Sequence, residues 1–185
     1  MGQRTMAPPN PPQAAGLLCG LIAAAPDALA RGKERLVQAF GEIAVESETF
    51  PFAFTAYYDR EMGAGLIRQF VGFRRLVRQD QLVDIKLLTC RMEAELGTRT
   101  SEGLRRSVNL DPGYVTLAKV VLATTKDRDH RIYLGNGVFA EIALRWSRGR
   151  LTPQPWTYPD YRCEQATAFL DAMRSYVHRA LEAAS

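Results

Sequence analysis

The sequence predicts an α+β fold with a mainly antiparallel sheet and helices packed on it, and three observations carry the prediction. Short apolar runs, the right length for strands, are interleaved with stretches whose apolar residues recur at helical spacing. Gly135-Asn136-Gly137 lies between two alternating runs, where positive φ angles favour a tight hairpin. With 185 residues, 46% hydrophobic and 24% charged, the chain is long enough to bury roughly 68–75% of its unfolded surface without disulfide or metal staples.

Residues 1–15 hold four prolines and little to bury, so they are expected to form a disordered tail, with residues 16–185 a single domain. "LLCGLIAA" at 17–24 reads as a strand covered on both faces. Asp27 is then placed to cap a helix carrying Leu29, Leu36 and Phe40 on one face and ended by Gly41. "IAVESETFPFAF" at 43–54 reads as a strand with an irregular end, and "LIRQFVGF" at 66–73 as another. Leu82, Ile85, Leu88, Met92 and Leu96 make the clearest internal helical stripe, before Gly97. A polar loop over 99–106 leads into the short strand "SVNLD". A third helix is expected from Asp111-Pro112, with Leu117, Val120, Val121 and Thr124 on its face. The 135–137 hairpin follows, and Ala166, Phe169, Leu170, Met173, Tyr176, Val177 and Ala180 mark a last helix. The expected order is β-α-β-β-α-β, a ferredoxin-like plan, followed by α-β-β-α.

The longest apolar run, "GLLCGLIAAAP" at 16–26, is short of the roughly 20 residues of a membrane-spanning helix. Cys19, Cys90 and Cys163 are widely spaced and odd in number, which favours reduced thiols and a cytoplasmic setting over a disulfide framework or zinc site. The formal charge of +4 is a mild bias toward anionic partners.

The stretches "SETFPFAFTAYYDREMGAGLIRQFVGF", "DIKLLT", "RSVNLDPGYVTLAKVVLATTKDRDHRIYLGNGVFAEIALRW" and "PWTYPDYR" together resemble a bacterial family designated domain of unknown function 4416. The resemblance covers nearly the whole chain from about residue 17, and it is most specific from Asn109 to Glu141. It implies no activity. Members of that family sometimes carry a GTP-binding label, yet no G-x-x-x-x-G-K-[ST] string is present to cradle phosphates, and no G-x-G-x-x-G opens a helix.

Chemistry-bearing residues cluster in the second half. Asp111 is a cap for the expected helix or, with Gly113, part of an anion-facing helix start. Lys119, within the expected helix, either snorkels to water or holds an acid. In "TTKDRDHR" at 124–131, Lys126, Arg128, His130 and Arg131 complement the end of that helix. Alternatively, His130 serves as a general acid or base with a nearby carboxylate. Glu141 interrupts "VFAEIAL"; it is either a solvent-facing residue of an edge strand or a buried carboxylate in need of a partner such as Lys119, Arg131 or Tyr133.

His130, Glu141 and Asp111 are therefore the candidate catalytic groups. Lys119, Lys126, Arg131, Tyr57, Tyr58, Tyr114, Trp156 and Tyr158 are the candidate ligand-binding groups, with no metal site and no identifiable cofactor. The expected function is an enzyme or binder of a small anionic, phosphorylated or nucleotide-like ligand. The alternative is an RNA-binding module with an arginine-rich face formed by Arg68, Arg74, Arg75, Arg78, Arg99, Arg105 and Arg106.

Overall fold

The computed structural model describes residues 10–55, 58–101 and 103–184, without the side chains of Asp59 and Arg60. It is a mixed α/β structure built on a mainly antiparallel sheet with three long helices. β1 (Ala15–Ala23) leads into α1 (Pro26–Phe40), then β2 (Ile43–Glu46), β3 (Phe50–Pro51) and the short α2 (Asp59–Met62). β4 (Ile67–Val77) precedes α3 (Leu82–Leu96), and β5 (Thr98–Thr100) and β6 (Gly103–Arg105) form a separate small ladder. β7 (Val108–Val115), β8 (Lys119–Thr124), β9 (Ile132–Gly135), β10 (Val138–Ser147) and β11 (Arg150–Pro153) follow, and α4 (Glu164–Glu182) ends the described chain.

The main sheet runs β11-β10-β8-β7-β1-β4-β2, with β3 beside β4 and β9 beside β10, and the pairings are antiparallel. Central β1 is covered on both sides, which explains its unbroken apolar sequence. Leu17, Cys19 and Leu21 pack with Leu29 and Leu36 of α1 and Ile85 and Met92 of α3. Leu18 joins Phe169, Leu170, Met173 and Val177 of α4 in the opposite layer. Alternation in a strand thus becomes assignment to one of two cores.

The helical stripes around Leu29, Ile85 and Phe169 fall on elements of the expected type. Asp27 is in the first turn of α1, but Ala25 occupies the N-cap position and Pro26 the first helical one. The strand β1 begins at Ala15, inside the segment expected to be a tail, whereas residues 1–9 lie outside the described residues. Part of the segment read as a loop at 99–106 is the β5–β6 ladder. At 135–137 the hairpin is present, with φ of 122°, 51° and 75°.

The third helix is a correction. "VNLDPGYV" and "KVVLAT" are strands β7 and β8, joined by a turn in which the Thr116 hydroxyl accepts the N–H groups of Ala118 and Lys119. A segment buried on both sides shows continuous apolar character rather than alternation, and its i, i+3, i+4, i+7 matches arise without a helix. Valines and threonines also favour the strand. Asp111 is therefore not a helix cap, Lys119 is not on a helix, and the 126–131 segment does not close one.

β7 and β8 part company at Pro112. Their register joins Gly113, Tyr114 and Val115 to Leu122, Val121 and Val120, and it stops one residue short of the proline, which has no N–H to donate. β1 stays paired to β7 from Val115 back to Val108. One edge of β7 thus loses its strand neighbour while the other keeps it, and a crevice opens there.

Candidate functional site

The crevice leads into a cavity of about 590 Å³, lined by Asn109 and Asp111 of β7, 122–126 of β8 and the following loop, and Arg68 of β4. Arg128, Arg131, Glu141, Tyr158, Asp160 and Tyr161 complete one wall; Ile22, Phe52, Phe54, Thr55 and Tyr58 supply much of the apolar surface. Lys86, Cys90 and Glu93 enter from α3.

The α3 side chains are present because β7 lacks a strand partner. Glu93 Oε1 accepts the Leu110 N–H at 2.6 Å, and Lys86 Nζ donates to the Leu110 carbonyl at 3.1 Å. Buried backbone groups must be paired, and here two charged side chains do what a neighbouring strand would do. Burial pushes the Glu93 carboxyl above its ordinary range despite Lys86 and the Leu110 N–H. Burial alone would favour the neutral amine of Lys86, but Asp111 and Glu93 outweigh it and raise its affinity for the proton.

Arg106 extends this network. It holds Glu61 through two bonds of 2.7 and 2.8 Å, Glu93 at 3.0 Å and Asn109 Oδ1 at 2.9 Å. The Arg106 bond is the main reason the Glu61 carboxyl lies below its usual range. Asn109 Nδ2 in turn donates to Asp111 Oδ2 at 2.7 Å.

Arg68 is the most deeply placed charge, 1% exposed. Its guanidinium carbon is 4.6 Å from the Phe70 ring centre and 5.2 Å from that of Tyr161. Gly20 leaves room beneath it: a Cβ there would sit 2.5 Å from Arg68 Nη2 and displace the guanidinium. Asp160 Oδ2 is 3.0 Å and Asp111 Oδ2 3.6 Å from the guanidinium, but none of the three nitrogens makes a hydrogen bond of good geometry. Burial raises the Asp160 carboxyl against the opposing pull of Arg68.

A second network lies on β10 and the preceding loop. Glu141 is paired with Leu122 in the register, is 3% exposed and faces the cavity wall, so it is not the solvent-facing residue of an edge strand. Its Oε2 receives Arg131 Nε at 2.7 Å and lies 3.1 Å from His130 Nε2; its Oε1 is buried without a partner. Arg131 also donates to the Lys126 carbonyl at 2.9 Å and the Tyr158 hydroxyl at 2.8 Å. His130 is 3.0 Å from Asp129 through its other nitrogen and stacks on Trp156 at 5.1 Å.

Asp111, Glu141, Lys126, Arg131, Tyr58 and Tyr158 of the sequence candidates all line the cavity. His130 touches Glu141 from behind it, and Trp156 backs His130 while donating its indole N–H to the Ile142 carbonyl. Two candidates lie elsewhere. Lys119 starts β8 opposite Arg145, and Tyr114 packs with Leu82, Val121 and Val138. Tyr57 lies outside the described residues.

Lys86, Glu93 and Asp160 are additions from the structure, and Arg68 and Arg106, read in the sequence as part of an arginine-rich face, join them in the cavity. Arg68 had a legible signal: it shares an alternating face with Phe70 and Gly72. Of the seven arginines considered for an RNA surface, Arg68 and Arg106 are turned into the interior networks rather than outward.

Among the described residues no group of three or more His, Cys, Asp or Glu has metal-binding placement. No described helix is long and apolar enough to cross a membrane. Cys90 lines the cavity, but burial raises its thiol pKa and so opposes nucleophile formation.

The model of a domain of unknown function, DUF4416, matches residues 13–176, which include every cavity wall described above. The chain belongs to the DUF4416 family. Comparisons with curated proteins and with solved structures returned no match. The family region begins just ahead of β1 and ends within α4, so both faces of the DUF4416 sheet are part of it.

Proposed function

We propose that this DUF4416 protein binds a small anionic ligand in the cavity between β7 and β8. The observation that carries the reading is charge. Six cationic side chains line the cavity, Arg68, Lys86, Arg106, Lys126, Arg128 and Arg131, against four carboxylates, Glu93, Asp111, Glu141 and Asp160. With Glu61 bound to Arg106 from outside the lining, cations still exceed carboxylates in a partly enclosed space, where low dielectric magnifies attraction for an anion. The cavity volume also falls in the range of small-molecule sites.

Glu141 is the acid–base candidate in this reading, because it presents a carboxylate oxygen to the cavity wall. His130 is a positioning residue, and Asp111 is placed to orient the ligand or Lys86. We also read β7-β1-β4-β2, with α1 joining β1 to β2 and α3 joining β4 to β7, as a ferredoxin-like unit within one domain spanning 16–185. The order and antiparallel pairing of these strands support that reading. Three cysteines without a disulfide support a reducing, cytoplasmic setting.

The test is a thermal-shift screen of nucleotides, phosphorylated metabolites, organic acids, divalent cations and short RNA, repeated on Arg128→Ala and Glu141→Ala. A small anion should raise the melting temperature by mass action, and the shift should shrink in Arg128→Ala. Stabilisation by RNA alone, abolished by salt and indifferent to both substitutions, would reject the cavity reading in favour of a nucleic-acid surface.

A further inference from the structure

The cavity wall holds two buried groups with opposite unmet needs. Arg68 has the Asp160 and Asp111 carboxylates at 3.0 and 3.6 Å, yet none of its three nitrogens makes a hydrogen bond, and Glu141 Oε1 has no donor. Both residues line the same space and both are at most 3% exposed. They lie on one face of the sheet. Arg68 pairs with Ile22 across β4 and β1, Asp111 with Gly20 across β7 and β1, and Glu141 with Leu122 across β10 and β8. Ion pairing offsets part of the desolvation cost of both residues, but buried atoms left without a hydrogen bond keep the rest, so the two beside one cavity indicate what it is shaped to receive.

A simple anion could answer Arg68 but would leave Glu141 Oε1 facing negative charge. A cation or a neutral alcohol would do the reverse. We infer that the ligand is bifunctional: an organic anion, phosphate ester or carboxylate, that also carries a hydroxyl or amino donor, with its anionic group toward Arg68 and its donor on Glu141 Oε1. This rests on the anion-binding reading and adds a chemical class to it. Hydroxy acids, amino acids and sugar phosphates satisfy it; alkyl phosphates and fatty acids do not.

The neighbours of Glu141 explain how it discriminates. Arg131 Nε and His130 occupy Oε2, and the Arg131 donors to Lys126 and Tyr158 fix the guanidinium that holds it. The carboxylate therefore keeps Oε1 directed away from its clamp. In Glu141→Gln the amide oxygen is expected to take the place against Arg131 Nε, which puts an NH₂ donor where Oε1 was. The position would then present a donor in place of an acceptor, which refuses an ammonium group but still meets the oxygen of a hydroxyl; Glu141→Leu, with neither donor nor acceptor, removes the preference for both.

The experiment uses the full chain and matched probes in calorimetric and thermal-shift titrations: glucose 6-phosphate against hexyl phosphate, and gluconate against hexanoate. Glucose and inorganic phosphate serve as single-function controls. The donor-bearing anion of at least one pair should bind at least about tenfold more tightly than its alkyl mate, since a site built to hydrogen-bond a hydroxyl rejects analogues lacking it. In Glu141→Leu, shown to be folded by its unliganded melt, that ratio should fall to near one while the anion still binds.

Equal affinity within both pairs, or equal binding of glucose and glucose 6-phosphate, overturns the bifunctional ligand. The first of these outcomes leaves anion binding intact. If no anion in the set binds, the anion reading itself fails and this inference with it. The wild-type comparison decides the matter even if the substituted protein does not fold.

Discussion

Glu93 tests the claim that α3 substitutes for a missing strand. Replacing it with alanine removes the acceptor for the Leu110 N–H, which is fully buried and 2.6 Å from Oε1. An orphaned buried N–H costs about 1–3 kcal/mol. Arg106 also loses a partner at 3.0 Å but retains Glu61 through two bonds, so that loss adds about 1 kcal/mol or less. Relief of the buried carboxylate, whose pKa is raised by burial, offsets part of the sum. The net expectation for Glu93→Ala is about 1–3 kcal/mol, roughly 2–12 °C in Tm for a chain of this size.

Glu93→Gln keeps an acceptor for Leu110 and should cost about 1 kcal/mol or less, at most about 4 °C. Calorimetry gives the totals, and hydrogen exchange at the Leu110 amide gives the local effect. Protection should fall in the alanine variant and persist in the glutamine variant. If both variants lose equal stability and equal protection at Leu110, charge rather than backbone pairing is the role of Glu93, and the substitute-strand argument is wrong.

Three other expectations follow from the same packing. Gly113→Ala should destabilise by more than about 1–3 kcal/mol in denaturant melts, because its Cβ would lie 2.4 Å from the Val121 carbonyl oxygen and backbone cannot rotate away as a side chain can. Tyr161→Phe should change stability by no more than about 0.5 kcal/mol, since the hydroxyl it removes is buried without a partner; a larger loss by chemical denaturation would reveal a role for that hydroxyl in folding. Glu61 is depressed by Arg106, so its stabilisation is present above the ordinary glutamate range, about 4.3, and is lost as pH falls through its lower folded value. The stability difference between wild type and Glu61→Gln should accordingly shrink on acidification across that window, and a difference that grows would contradict the assignment.

Some of this was legible in single segments. The stripes through Leu36, Met92 and Leu170 report helices because 3.6-residue spacing is a property of the local backbone, and Gly135-Asn136-Gly137 reports a hairpin because positive φ is a local demand. The double apolar character of β1 signalled a strand covered on both faces. Asp111-Pro112 misled for an equally local reason: the pair that starts a helix well also fits the middle of a strand that has a neighbour on one edge only. Within the site, Glu141 stood out as a carboxylate among apolar neighbours, and His130 as one of two histidines.

The sequence by itself determined the faces of α1, α3 and α4, the hairpin, the two-sided cover of β1 and the polar character of the 124–131 stretch. Only the tertiary structure decided that β8 leaves β7 at Pro112, that Lys86 and Glu93 fill the resulting gap, and that Arg68 and Glu141 border one cavity. The first set follows from bonds and torsions between near neighbours. The second depends on which strands lie side by side, and that pairing is fixed by contacts between residues far apart in the chain, where a local pattern carries no record of its partner.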